Sequence, residues 1–147
     1  EAWQIVENCN FFSREKVGLA MLVFYNAWQL KFGDLDKKIW AALSKLMIEW
    51  SFKDKRIGAA YSMNGSPVQN VLISGLARTP TWIWVHVEET DKICDTSFTH
   101  ELVHISIWAL KGTDADPDHL GEEYSGWTAA HNLFIQDVNA ALCRLGL

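Results

Sequence analysis

One five-residue stretch, His100-Glu101-Leu102-Val103-His104, places two metal-ligand residues next to a base. On a helix, His100 and His104 lie one turn apart on the same face, so a nitrogen of each ring can reach one Zn²⁺ at about 2.0–2.1 Å. Glu101 lies beside them and can accept a proton from a metal-bound water. The stretch therefore predicts a zinc ion, two of its ligands and a general base. The simpler alternative is two core histidines and a surface glutamate.

A catalytic zinc ion needs three protein ligands and an open position, and the sequence leaves the third ligand open. His119 is the leading candidate, because the polar loop after the motif can fold it back over the metal. Glu122 and Glu123 are rival candidates, but a helix dipole favours paired glutamates at a helix start even without a metal, which weakens their case. The other rivals are Asp116, Asp118 and the inward-facing His131.

Other residues near the motif are candidates for the remaining roles in such a site. Tyr124, His131 and His86 are candidates to donate a hydrogen bond to a developing oxyanion. Histidine ligands usually donate their second ring nitrogen to a carboxylate or a carbonyl. Asp116 and Asp118 lie near enough in sequence to be such acceptors.

Apolar residues at helical spacing predict four helices, of which the metal helix is the best defined. It covers about 96–111, with an N-cap among residues 95–97 and Gly112 after its last turn. Ser13 is the predicted cap of the first helix, which Gly33 ends. The other three helices are predicted at about 13–32, 34–46 and 122–145.

Alternating and apolar runs predict strands between the second helix and the metal helix. They cover 47–52, 57–62, 68–76 and 81–87, with a turn at 63–67. Helices, a small central sheet, the metal helix and a closing helix make an α+β fold. The strand at 81–87 would lie beside the metal helix, where an exposed edge could bind an extended peptide. Trp82, Trp84 and His86 share one face of this strand. That face either packs against the helices or lines a substrate groove.

Composition limits the class of protein. The 147 residues suit one domain, 1–147, with a core, since 49% of them are hydrophobic. A net charge of −5 without a long Lys/Arg run argues against nucleic-acid binding by this chain alone. The sequence contains no apolar stretch long enough to cross a membrane. It gives no indication of oligomeric state.

The cysteine pattern bears weakly on the compartment. Cys9, Cys94 and Cys143 form no CxxC pair, so one disulfide with a free thiol and three reduced thiols are both open. We favour a reducing, cytoplasmic location, with a phage virion or secretion as alternatives. No signal peptide is visible, although a start at Glu1 rather than Met leaves a removed leader open.

Several segments together resemble the SprT-like (Spartan-type) zinc metallopeptidases, over roughly residues 17–145. His100–His104 carries the most specific part of the resemblance, with Ser97-Phe98-Thr99 leading into it. The remaining segments are Phe24-Tyr25-Asn26-Ala27-Trp28, Phe32-Gly33-Asp34-Leu35, Ile48-Glu49-Trp50-Ser51 with Gly58, and His119-Leu120-Gly121-Glu122-Glu123-Tyr124.

The resemblance implies a compact zincin-like (mini-zincin) domain that binds one Zn²⁺ per chain through His100, His104 and His119, with Glu101 as base. No zinc ribbon or basic tail follows, so the expectation does not extend to the cleavage of DNA-bound proteins. Similar stand-alone domains occur among phage-encoded proteins.

The sequence therefore predicts a zinc metallopeptidase whose substrate is a protein or peptide. One alternative is a non-catalytic zinc-containing structural or binding domain, such as a virion component. Glu101 argues mildly against that alternative, because a purely structural site has no need for a base. A metal-dependent hydrolase of non-peptide amides is the third hypothesis.

Overall fold

The computed structural model describes residues 3–7, 10–52, 55–57, 61–63, 66–68, 71–114 and 126–147, with the backbone alone at 55–57, 61–63, 66–68 and 71–72. Helices and a small mixed sheet pack together, which confirms the α+β prediction. The predicted order is also confirmed: two N-terminal helices, the sheet, the motif helix and a closing helix.

Four α-helices are present in the described residues: α1 (Arg14–Lys31), α2 (Lys38–Ser44), α3 (Phe98–Lys111) and α4 (Ala129–Arg144). Ser13 caps α1 as predicted, since its side chain accepts a hydrogen bond from the Lys16 amide. A 3₁₀ turn, Leu35–Lys37, leads into α2. Gly112 ends α3 with a φ of 82°, a left-handed conformation that glycine adopts without strain.

The last helix begins later than the sequence predicted. Gly126 has a φ of 94°, so the chain turns there instead of continuing a helix. Thr128 is the N-cap of α4, and its backbone N–H donates to Nδ1 of His131 at 3.0 Å. A helix beginning near residue 122 is therefore wrong for 126–128, and residues 122–125 lie outside the described residues.

The main sheet has four strands in the order β1-β2-β8-β7. Its strands are β1 (Gln4–Ile5), β2 (Met47–Ser51), β7 (Gly75–Thr79) and β8 (Trp82–His86). Strands β1, β2 and β8 run parallel, with Ile48 of β2 opposite Ile83 of β8, and β7 is antiparallel to β8. The prediction that 81–87 forms an exposed edge is wrong, because β8 is paired on both sides. In the sheet as described, β1 and β7 are the two edge strands, and β7 is the one next to β8.

Two short antiparallel ladders lie between β2 and β7 in the chain. They pair β3 (Lys55–Ile57) with β6 (Val71–Ile73) and β4 (Tyr61–Met63) with β5 (Ser66–Val68). The single predicted strand at 57–62 is thus two strands with different partners. The strand predicted at 68–76 is likewise divided. Of the predicted turn at 63–67, Met63 belongs to β4 and Ser66 and Pro67 belong to β5, and residues 64–65 lie outside the described residues.

The described hydrophobic core lies between one face of the sheet and the helices. Ile48 and Trp50 of β2 and Ile83 and Val85 of β8 point into it, as the alternation along a strand requires. Leu102 and the other apolar residues of α3 pack against this face. The alternate residues of β8, which include Trp84, therefore lie on the opposite face, away from α3.

No helix in the described part of the chain is long and apolar enough to cross a membrane.

Candidate functional site

The two motif histidines lie side by side in the middle of α3. Their ring centroids are 5.0 Å apart, as the one-turn spacing predicted. His104 is 3% exposed, whereas His100 is half-buried and accessible to solvent. The indole of Trp127 packs against both rings, with centroids 5.0 Å from His100 and 4.7 Å from His104. The histidine pair thus has a buried side and an open side.

Trp127 is a site residue that the sequence analysis did not single out. It lies in the short segment before α4, and its Nε1 donates to Oδ1 of Asn132 at 2.7 Å. This hydrogen bond fixes the indole plane, because a buried Trp N–H needs an acceptor. The same tryptophan lies 6.2 Å from the ring of His131, centroid to centroid.

Asp114 fixes the orientation of His104. Its Oδ1 lies 3.0 Å from His104 Nδ1. A carboxylate can only accept, so Nδ1 carries the proton, and Nε2 of the neutral ring is the nitrogen that can bind a metal ion. Asp116 and Asp118, predicted for this role, lie outside the described residues. Gly112 is the sequence feature that could have indicated the Asp114 contact, because its left-handed conformation turns the chain so that Asp114 reaches back to α3.

Glu101 lies on a different side of α3 from His100, the solvent-accessible histidine of the pair. It is 3% exposed and packs against Gly75 of β7 and Ser97. Burial raises the pKa of Glu101 to about 8; the charge of His104 opposes this rise and that of Asp114 adds to it. The sequence alternative of a surface glutamate is therefore wrong.

Gly75 is a second residue that the sequence analysis missed. A Cβ at this position would overlap Ser97 Oγ and the Glu101 carboxylate, and would lie 2.9 Å from Glu101 Cδ. The Ser97 hydroxyl donates to the carbonyl of Ser74 at 2.7 Å, which holds the start of α3 against β7. The missing side chain at position 75 thus provides the space in which Glu101 lies.

Most candidates for the third metal ligand cannot be located. His119, Asp116, Asp118, Glu122, Glu123 and the proposed donor Tyr124 lie outside the described residues. Asp114 and Trp127, which flank that segment, both contact the histidine pair. The described chain therefore ends at Asp114 beside the pair and resumes at Gly126, next to Trp127.

His131, a candidate metal ligand and oxyanion donor in the sequence analysis, has the contacts of a core residue. Its Nδ1 accepts from the Thr128 amide, and its ring stacks on Phe32 at 4.5 Å with an angle of 8° between the planes. Burial lowers the pKa of His131, and the charge of Lys111 lowers it further. His131 is therefore held neutral at the start of α4.

His86, another candidate oxyanion donor, belongs to the other face of the sheet. The alternation along β8 places it with Trp84, whose ring centroid is 6.5 Å away, and its Nε2 contacts Glu88. Ile83 and Val85 face α3 instead. This places His86 on the side of the sheet away from Glu101.

Cys94 and Cys143 form a disulfide, one of the two states that the sequence left open. It joins the 3₁₀ turn Ile93–Asp95, just before α3, to the last turn of α4. The two sulfurs and a carboxylate oxygen of Asp95 lie within 4.8 Å of one another, a spacing that suits a metal ion only when the two cysteines are reduced. Disulfides are uncommon in reducing compartments, and the cytoplasmic location stays a prediction.

An apolar cavity of about 190 Å³ lies away from the histidine pair, between the N-terminal segment, α1 and α2. None of its lining residues belongs to α3, so it is separate from the candidate site. Gly18 lies within it and provides space for the ring of Trp3, since a Cβ there would approach Trp3 at 3.2 Å. The lining residues are Trp3, Gly18, Met21, Leu22, Tyr25, Trp40, Leu43 and Ser44.

Comparisons with protein-family models, with curated proteins and with solved structures found no match to this chain. The resemblance to SprT-like peptidases therefore stays a prediction from the sequence. The function of the site has to be inferred from its own geometry and chemistry.

Proposed function

We propose that this chain is a zinc-dependent metallopeptidase, in a zincin-like domain of the SprT type. His100, His104 and His119 hold the metal, and Glu101 is the general base. The hydrogen bond from His104 Nδ1 to Asp114 is the observation that carries the proposal. Metal-binding histidines usually donate their second ring nitrogen to a carboxylate, a backbone carbonyl or a water, and Asp114 provides such a carboxylate.

The donor set suits zinc. Imidazole nitrogens are preferred zinc ligands, and the Asp114 contact at Nδ1 makes Nε2 the ligand nitrogen of His104. The adjacent ring of His100, 5.0 Å away, offers the second nitrogen. Trp127 covers one side of both rings and limits their motion. When bound, Zn²⁺ acts as a Lewis acid that polarises a carbonyl and lowers the pKa of water toward neutrality.

Glu101 supplies the proton transfers. A water molecule that attacks a peptide carbonyl must lose a proton, and the amine that leaves must gain one. A carboxyl group that has a pKa near the operating pH can do both. The burial of Glu101 against β7 provides such a pKa, and the space at Gly75 fixes the position of the carboxylate.

The position of β7 supports a peptide substrate. In the described sheet, β7 is bound by β8 on one side, and Glu101 packs against its first residue, Gly75. An extended peptide that added to this edge by main-chain hydrogen bonds would pass beside the base. This edge replaces the one that the sequence placed at 81–87.

The first experiment measures zinc content and peptide-library cleavage for the wild type and Glu101→Gln. We expect one zinc per chain in both proteins and a loss of cleavage of about 10²–10⁴-fold in the variant, the usual contribution of a general acid–base. Glu15→Gln is the matched control, because Glu15 is exposed in the first turn of α1. It should keep both properties.

Two results would redirect the proposal. Zinc without cleavage of any peptide in the wild type favours the non-catalytic binding domain, and cleavage of small amides alone favours a non-peptide hydrolase. Absence of zinc from the wild type after reconstitution contradicts the proposed site altogether.

A further inference from the structure

We propose that Cys94, Cys143 and Asp95 form a second cation site when the disulfide is reduced. This thiolate site takes one zinc ion or a similar soft divalent cation. It is distinct from the histidine pair and independent of the peptidase proposal. The disulfide and the metal-bound dithiol are then two alternative links between the same two elements of the fold.

The backbone spacing suits both states. The Cα atoms of Cys94 and Cys143 are 5.5 Å apart, a separation at which the two side chains converge. Two thiolates on one tetrahedral zinc, each about 2.3 Å from the metal, lie about 3.8 Å from each other. Small side-chain rotations therefore convert a reduced pair into two ligands without moving α4.

Asp95 provides the third ligand. One of its oxygens, Oδ2, accepts the Lys92 amide at 2.9 Å, which holds the carboxylate beside the two sulfurs. The second carboxylate oxygen can coordinate a cation in monodentate fashion. Asp95 and Cys143 are exposed, so water can fill the fourth position. Cys94 is 8% exposed and forms the inner side of the site.

The surroundings hold the three ligands in place in either state. The Cys94 amide donates to the carbonyl of Leu147 at 3.0 Å, and the Leu147 amide donates to the carbonyl of Leu142 at 2.9 Å. Thr99 of α3 donates to Asn139 of α4 at 2.6 Å. These bonds persist when the sulfur–sulfur bond is cut, so the reduced cysteines stay close together.

The exchange balances in two steps. An external dithiol transfers two electrons and two protons to the Cys94–Cys143 bond and is itself oxidised to a disulfide. The cation then binds the two thiols as thiolates and releases two protons to solvent. In the reverse direction, an external disulfide accepts two electrons from the thiolate pair and two protons from solvent, is reduced to a dithiol, and the Cys94–Cys143 bond forms again as the metal is released.

Cobalt binding tests this site. Co²⁺ bound by thiolate gives a sulfur-to-metal charge-transfer absorption, which a site of histidine and carboxylate lacks. We titrate Co²⁺ into the full chain, oxidised or reduced with a phosphine, in a Cys9→Ser background. The absorption should saturate at one thiolate-bound cobalt per reduced chain. It should be absent from the oxidised chain and from Cys143→Ser, and Asp95→Asn should require more cobalt for half-saturation.

His104→Ala separates the two sites, because it should leave the charge-transfer absorption unchanged even if the peptidase proposal fails. Three results would overturn the inference: no charge-transfer band in the reduced chain, a band of equal strength in Cys143→Ser, or a reduced chain that loses its circular dichroism and does not regain it with cobalt.

Discussion

Two carboxylates of this chain lie in opposite surroundings. Asp34, before α2, accepts hydrogen bonds from the amides of Ile39 and Trp40 and from the hydroxyl of Tyr25, at 2.8, 3.1 and 2.7 Å. Burial acts against its charge, yet these donors hold the pKa of Asp34 below its usual value. Glu101, by contrast, is buried between its own helix, α3, and strand β7, and burial raises its pKa to about 8.

The difference separates a carboxylate that stabilises the fold from one that is available for chemistry. Asp34 uses its charge to satisfy the first amides of a helix, and a group so well satisfied is a poor base. Glu101 is buried away from water, and this burial raises its pKa and therefore its affinity for a proton. If this contrast is correct, changes near Glu101 alter activity, and changes at Asp34 alter stability.

Among changes around Glu101 that leave its carboxyl group in place, Gly75→Ala should have the largest effect on activity. The added Cβ overlaps the ends of two side chains, Ser97 and Glu101, so the carboxylate is displaced while the backbone can stay in place. Misplacement of a catalytic group by about 1 Å can cost about 10²-fold in rate. The measurement is kcat on a peptide taken from the library, with zinc content and Tm alongside.

Ser74→Ala is the control for this prediction, since Ser74 is the exposed neighbour that uses its carbonyl, not its side chain, in the bonds to Ser97 and His86. Wild-type kcat in Gly75→Ala would mean that the position of Glu101 does not matter for turnover.

Asp114→Asn should weaken zinc binding by about 10–100-fold, the usual cost of losing a carboxylate behind a metal-binding histidine. Competition with a chelator measures the affinity at constant pH. His119→Ala, which removes the proposed third ligand, should lose more, and Asp137→Asn, an exposed change on α4, should lose none. Equal affinity in Asp114→Asn and the wild type would assign the Asp114 contact to loop packing.

Asp34→Asn should leave zinc content and turnover unchanged but lower the free energy of unfolding by about 1–3 kcal/mol, the range for hydrogen bonds to a charged group. Its Tm should fall by several degrees. Because the folded pKa of Asp34 is lowered, the stabilisation is complete above the unfolded value of about 3.9 and disappears as pH falls through the lower, folded value.

The check on that prediction is a series of thermal melts from neutral to acidic pH. The gap between the wild type and Asp34→Asn should be largest near pH 7 and shrink below about pH 4. Asp137→Asn removes the same charge from an exposed position and should show no such gap. A gap that stays constant into acid would mean that the Asp34 charge contributes nothing.

Local features of the sequence were enough for α1 and α3. Ser13, Gly33 and Gly112 mark helix ends through their own backbone preferences, and two histidines one turn apart need only a helix to meet. The histidine pair and the α+β order were therefore predictable. Whether the pair binds zinc and acts on peptides stays a prediction.

Contacts between distant segments could not be read in this way. The position of β8 in the sheet depends on parallel pairing with β2, and parallel pairing carries no turn signature. Gly75 and Glu101 are likewise far apart in the sequence but in contact in the structure, and so are Trp127 and the histidine rings. Charged residues at 122 and 123 resembled a helix start, but the cap at Thr128 determines where α4 begins.

The packing of α1 on α4 has a consequence for the order in which the protein can form. Phe24 and Trp28 of α1 each lie 5.5 Å from the ring of Phe134, centroid to centroid. At a synthesis rate of about 5–20 residues per second, the apolar side of α1 leaves the ribosome roughly 5–20 s before its partner exists. During this interval the nascent chain presents the apolar side of this segment without its partner in α4. Chaperone occupancy and aggregation should therefore depend on elongation rate.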